Sequence, residues 1–346
     1  MSRFRILCID GGGIRGIIPA MVLAEIERRT GRRISQLFDL IAGTSTGGIL
    51  ALALVKPGKR SQPHYTAEDV IQLYESQGRH IFSRSLLHQI VSLNGLVNKK
   101  YQSGPVEAVF EEFFGDVLLS QALSNVMLTS YDIQLRQAFF FRSYRAKADK
   151  DYDYLMRHAA RATSAAPTYF EPELIDNWNK DYALIDGGVF ANNPSMCALV
   201  DGMREFSQSL DQVFMVSIGT GRETNRPLEY QRVKNWGVVS WARPILTIVL
   251  NSLSDTVDYQ TNLILNQADS PAQYNRLQVE LPKSVGRLDN TNASNIRSLK
   301  QHAEEFITEN DKTLATICKA LTEKKTAARR KPAGRTRRAS LKPVAA

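Results

Sequence analysis

Ser45 lies between two glycines in the stretch Ile41-Ala-Gly-Thr-Ser-Thr-Gly-Gly48, which is flanked by the apolar runs LFDL and ILALALV. A GxSxG sequence where a buried strand turns directly into a helix is the pattern of a nucleophile elbow. The bend lifts the serine above the sheet, and crowding there demands small neighbours, here Gly43 and Gly47. It also sets the serine at a helix N-terminus, where N–H groups favour developing negative charge. The bland alternative is that Ser45 only caps the helix. An attacking hydroxyl needs a base and donors for an oxyanion.

Donors are on offer in Asp10-Gly-Gly-Gly-Ile-Arg-Gly16, which follows the first apolar run. Gly11, Gly13 and Gly16 also satisfy GxGxxG, so a nucleotide-binding α/β protein is one reading of the loop. That fingerprint expects an acidic residue about 20 positions on, at the end of the second strand. Here the second strand ends in Gly43, Thr44 and Ser45. The other reading is an oxyanion hole, because only glycine lets the backbone approach a substrate so closely. Arg15 would add positive potential or hold the loop.

The base is the harder question. The chain has five histidines, His64, His80, His88, His158 and His302. None follows an apolar strand, and His302, best placed by chain order, sits in the polar helical pattern SLKQHAEEF. A histidine triad is poorly supported. Asp186 is different, since it ends the strand-like run YALID and is followed by Gly187 and Gly188. A carboxylate at the C-terminal edge of a sheet strand is where sites of such sheets form. To act as a base near neutrality its pKa must be raised, as expected from partial burial and a hydrogen bond to Ser45; the plain alternative is a turn-forming Asp-Gly-Gly.

These residues need a scaffold. RFRILCI, the glycine loop and IIPAMVLAEIERRTG read as strand, loop and a helix stopped near Gly31; LFDLIAG and STGGILALALV read as a second strand and helix. Two such units in the first 55 residues predict a parallel sheet covered on both faces. The runs NVMLTSYDI, QAFFFRSY, YALIDGG, QVFMVSIGTG and RLQVEL extend the sheet to about residue 281. Helical spacing returns from Asn292 to Lys325.

The blocks DGGGIRG, GTSTG and DGG, in this order and on strand ends, resemble the patatin-like phospholipase family. The likeness extends through RATSAAPTYFEP (Arg161 to Pro172), SYDI, MVSIGTG and NWGVVSW, and covers roughly residues 4 to 310. It implies an α/β; three-layer α/β/α sandwich with a mostly parallel central sheet, and a Ser/Asp dyad. Carried over by position, Ser45 is the nucleophile, Asp186 the base, and Gly11, Gly12 and Gly13 with Arg15 beside them the oxyanion hole. The implied activity is hydrolysis of carboxylic esters of phospholipids or galactolipids, without cofactor or metal. A second reading on the same site is a phospholipase effector of a bacterial anti-phage system switched on by cyclic nucleotides. The run WGVVSWARPILTIVL carries Trp236, Trp241 and branched apolar residues that could touch lipid, while the likeness implies a helix packed against the protein's own core.

Composition sets bounds on the rest. With 346 residues and 43% hydrophobic side chains the chain can bury a sizeable core. Cys8, Cys197 and Cys318 are few and scattered, which argues against a disulfide framework. Nine Lys and Arg residues lie between Lys324 and Ala346 with no acid, equal to the whole net charge of +9, so residues 1 to 323 are formally neutral. The expected organisation is one catalytic domain over 1–323 and a basic, disordered tail over 324–346. The tail could touch anionic membrane; no specific nucleic-acid partner is expected. With no signal peptide and no apolar run of about 20 residues, a cytoplasmic protein is expected, peripheral at a membrane that supplies its lipid substrate.

Overall fold

The computed structural model describes residues 3–82, 104–177, 180–224, 229–266, 273–282 and 285–323. The basic run 324–346 and His88 lie outside them, as does the side chain of His80.

The strands are β1 (Phe4–Ile9), β2 (Leu40–Thr44), β3 (Asn125–Asp132), β4 (Gln137–Arg142), β5 (Glu173–Asn177), β6 (Lys180–Asp186), β7 (Val213–Ile218), β8 (Arg222–Glu223), β9 (Tyr274–Leu277) and β10 (Glu280–Leu281). Eight of them make the main sheet in the order β5-β6-β3-β2-β1-β7-β9, with β4 also paired to β3. The sheet is parallel from β3 through β2, β1 and β7 to β9, and antiparallel where β4, β5 and β6 join. It stops at Leu277 rather than near residue 281, because β10 turns away to pair with β8.

The longer helices are α1 (Ile17–Thr30), α2 (Thr46–Val55), α3 (Ala67–Phe82), α4 (Gly104–Phe114), α5 (Met156–Thr163), α6 (Ser195–Glu205), α7 (Val238–Leu265), α8 (Ala293–Glu309) and α9 (Asp311–Thr322). Successive strand residues face opposite ways, and that alternation builds the three layers. Leu7, Ile9 and Ile41 enter one core with residues of α1, α2, α3, α4, α8 and α9. Ile6, Cys8, Leu40 and Ala42 enter a second core with Ala198 and Leu199 of α6 and Leu265 of α7. All ten residues of α2 are buried. A helix enclosed on every side has no use for a polar face, which is why TGGILALALV has none. The sequence is thus an α/β chain with a mostly parallel sheet between helical layers, as the strand and helix spacing predicts. No described helix is long and apolar enough to cross a membrane.

One detail of the sheet positions the site. Met127 to Thr129 of β3 pair with β2 on one edge and with β4 on the other, while Ser130 to Asp132 pair with β6 and β4. β2 and β6 therefore share an edge of β3 and run toward each other. Thr44 ends opposite Thr129, and Asp186 ends opposite Ser130.

Candidate active site

Ser45 occupies the position before α2 with φ 54° and ψ −124°, and its side chain makes no capping hydrogen bond. A non-glycine residue held at such angles is strained by roughly 1–3 kcal/mol, which the surroundings must overdetermine. The helix-capping reading of the serine fails on this point, since the hydroxyl is left for other work. The sharpness of the bend explains its glycines: a Cβ on Gly47 would lie 2.2 Å from the Ile9 carbonyl oxygen, and one on Gly43 would lie 2.3 Å from that of Gly47. Gly16 lets α2 approach the glycine loop, with Thr46 Oγ1 only 2.3 Å from where its Cβ would be.

Asp186 is buried, 6% exposed, at the end of β6. Its Oδ1 accepts the Gly188 amide at 2.7 Å. Burial pushes the carboxyl up to about 6; the Ser45 hydroxyl, contrary to expectation, pulls it down with the Gly188 amide, because a donated hydrogen bond favours the carboxylate. A proton affinity near 6 leaves the group mostly ionised at neutral pH yet basic enough to draw a proton. Gly187 turns the chain beside the sheet, where a Cβ would meet Thr129 Oγ1 at 2.2 Å and the Thr129 carbonyl oxygen at 2.5 Å.

A single segment ties the two side chains' backbones together. Thr163 Oγ1 accepts the Ser45 amide at 3.0 Å and donates to the Thr129 carbonyl at 2.7 Å. Two residues on, the Ala165 carbonyl accepts the Asp186 amide at 3.0 Å. Thr44 Oγ1 donates to the Ala191 carbonyl at 2.7 Å, so Thr129 Oγ1 must be the donor in their 2.7 Å contact.

The glycine loop borders the serine: a Cβ on Gly11 would lie 3.3 Å from Ser45 Cβ. Its three amides are not equivalent, however. The Gly11 amide is spent on the Asn192 carbonyl at 3.1 Å. Among the described residues the Gly12 and Gly13 amides have no protein acceptor. Thr220 Oγ1 donates to the Gly11 carbonyl at 2.8 Å and fills the space beside Gly12. Asp10 is buried and paired with Arg276, whose Nη1 lies 2.9 Å from its Oδ1. Arg15 donates to the Gly286 carbonyl at 3.3 Å, so of its two expected roles the loop-holding one has the contact.

The described histidine side chains are engaged elsewhere. His158 Nδ1 meets Glu173 at 2.8 Å, His302 Nδ1 meets Glu305 at 3.3 Å, and His64 packs edge-on against Tyr65. A surface cleft of about 940 Å³ between α1 and α8 is lined by Glu25, Glu27, Arg33 and Glu304, and by no residue of this site.

Thr163, Asn192, Thr220 and Arg276 are the site residues that sequence reading does not single out. Thr163 and Thr220 stand inside RATSAAPTYFEP and MVSIGTG, and Asn192 six residues after Asp186, so membership of these blocks was their only signal.

Fold and turn define an α/β protein with a strained serine at a strand-to-helix bend. A profile of the patatin-like phospholipase family matches residues 7–199, and the chain belongs to that family. Patatin-like protein 1 of Arabidopsis thaliana is 31% identical over 342 residues, covering 89% of this chain and 82% of the relative. A Solanum tuberosum relative named probable inactive patatin-3-Kuras 1 is 29% identical over 327 residues, covering 87% and 86%. Among solved structures, VipD from Legionella pneumophila aligns with a TM-score of 0.44 at 9% identity, over 88% of this chain and 67% of that one. The family is one of lipid acyl hydrolases, yet a relative called inactive shows that membership alone does not establish turnover.

Proposed function

We propose that this chain is an active lipid acyl hydrolase working through a Ser45/Asp186 dyad. The observation that carries the reading is the end-to-end meeting of β2 and β6 on one edge of β3, which brings a strained serine to a buried carboxylate. Asp186 takes the Ser45 proton as Oγ attacks the ester carbonyl carbon. The resulting oxyanion accepts from the Gly12 and Gly13 amides; Gly11 supports the loop instead. Collapse breaks the ester C–O bond, the proton held on Asp186 passes to the leaving alcohol, and an acyl-serine remains. Water attacks that acyl group with Asp186 again as base, freeing the fatty acid and restoring the serine.

The substrate class that fits is a membrane phospholipid or galactolipid, with the protein peripheral to the membrane on the cytoplasmic side and the run 324–346 as a basic tail. The test is fatty-acid release from phosphatidylcholine and from a galactolipid by wild type and Ser45→Ala. Release by the wild type that Ser45→Ala abolishes supports the reading, and release that survives the substitution sinks it.

A further inference from the structure

The sequence leaves two roles for WGVVSWARPILTIVL, packing on the core and contact with lipid, and α7 has a face for each. One face does turn inward: Ser254 Oγ accepts from Asn192 Nδ2 at 3.0 Å, and Leu250 Cδ2 lies 3.3 Å from where a Cβ on Gly188 would stand. The opposite face carries Ile245, Ile248, Val249, Tyr259 and Leu263, all between 38% and 67% exposed. With Ser252 and Thr256 between them, these residues follow helical spacing and make one stripe along the 28-residue helix. The two hydroxyls do not interrupt its apolar character. Ser252 donates to the Val249 carbonyl at 3.1 Å and Thr256 to the Ser252 carbonyl at 2.8 Å, so both are satisfied by the helix itself.

We infer that this stripe is the surface that seats the enzyme on an anionic lipid bilayer, an inference that rests on the acyl-hydrolase reading above. Exposed apolar side chains gathered into one stripe mark an interaction surface. Charge selects the occupant. From Tyr230 to Ser254 the chain has Arg232, Lys234 and Arg243 and no acidic residue. The first acid, Asp255, is paired with Arg222 at 3.1 Å. At the N-terminal end of the helix, Trp236 and Trp241 form an edge-on pair with centroids 5.3 Å apart. An apolar stripe, tryptophans at its end and a sequence around them that carries basic and no acidic residues complement the acyl boundary and headgroups of anionic lipid. The inner face of the same helix touches the turn after Asp186. Seating the outer face therefore holds the site about one helix diameter, roughly 10–12 Å, from the lipid surface.

The experiment is co-sedimentation of the full-length Ser45→Ala protein with mixed phosphatidylglycerol and phosphatidylcholine vesicles, with and without Ile248→Ser and Leu263→Ser together. The substitutions should lower partitioning about tenfold or more. Tyr259→Gln, at the most exposed position of the stripe, serves if the pair loses its melting transition, and should also lower partitioning. Unchanged partitioning overturns the inference. So does a wild-type dimer that the same substitutions dissociate, which would make the stripe a self-association surface. Soluble-ester turnover by the wild type separates the two readings: turnover without vesicle binding sinks the stripe and leaves the hydrolase standing. Vesicle binding that depends on the stripe, without turnover, does the reverse.

Discussion

Ser45 and Asp186 follow or end two strands that meet head to head on consecutive positions of β3, Thr129 and Ser130. They are far apart in the chain, so the register of one central strand sets their approach. The segment Thr163–Ala165 then binds the backbone of each, through a threonine hydroxyl on one side and a carbonyl on the other.

Asp186 must be ionised to take the proton of Ser45, and its carboxyl is pushed up to about 6. For a soluble ester, kcat/KM should therefore rise as pH increases through about 6 and level off above it. The pH–rate profiles of wild type and His302→Ala should superimpose. A limb that moves in the histidine variant would contradict the dyad.

The same shift makes Asp186 costly to the fold. A carboxyl raised from its ordinary 3.8 to about 6 keeps its proton longer in the folded than in the unfolded chain. Its favourable contribution is full below the unfolded value and is lost as pH rises through about 6. Asp186→Asn should then be more stable than wild type at about pH 8, by on the order of 2 kcal/mol, with the difference closing below about pH 4. Urea denaturation at the two pH values measures this, and an equal or lower midpoint at the higher pH would refute it.

Thr163 is fully buried and serves two bonds at once. Thr163→Val keeps the shape but leaves the Ser45 amide unpaired, which should cost about 1–3 kcal/mol. With the elbow less firmly held, kcat should fall while KM changes little. Thr163→Ser should restore most of both losses; if it rescues neither, the hydroxyl is not what positions Ser45.

Arg276 neutralises a buried carboxylate at the root of the glycine loop. Arg276→Met should destabilise the fold by about 3–5 kcal/mol, because it strands the Asp10 charge. Adding Asp10→Asn should recover part of that loss. Thermal melts of the single and double variants decide it, and equal melting points would show that the pair is dispensable.

Much of this was legible in the sequence because the strands that carry the site have local signals. LFDLIAG stops two residues short of Ser45 and YALID ends in Asp186, and GxSxG reports a bend whose crowding admits only glycine. Helix ends were legible for similar reasons, as at Gly31, which follows α1 with φ 64°. The partners were not legible. Thr163 lies 118 positions from Ser45 and Arg276 lies 266 from Asp10, and only the order of strands in the sheet brings them together. No sequence pattern could tell that the Asn192 carbonyl takes the Gly11 amide. For α7 the sequence leaves core packing and lipid contact both open, because apolar residues at helical spacing read alike whether they face a core or a lipid surface.

The most direct comparison is p-nitrophenol release from a medium-chain acyl ester by wild type, Ser45→Ala, Asp186→Asn and His302→Ala, each shown to be folded. The wild type and His302→Ala should turn over at similar rates, while the two dyad variants are reduced to background. Turnover that persists in Ser45→Ala, or that is lost only in His302→Ala, would contradict the dyad.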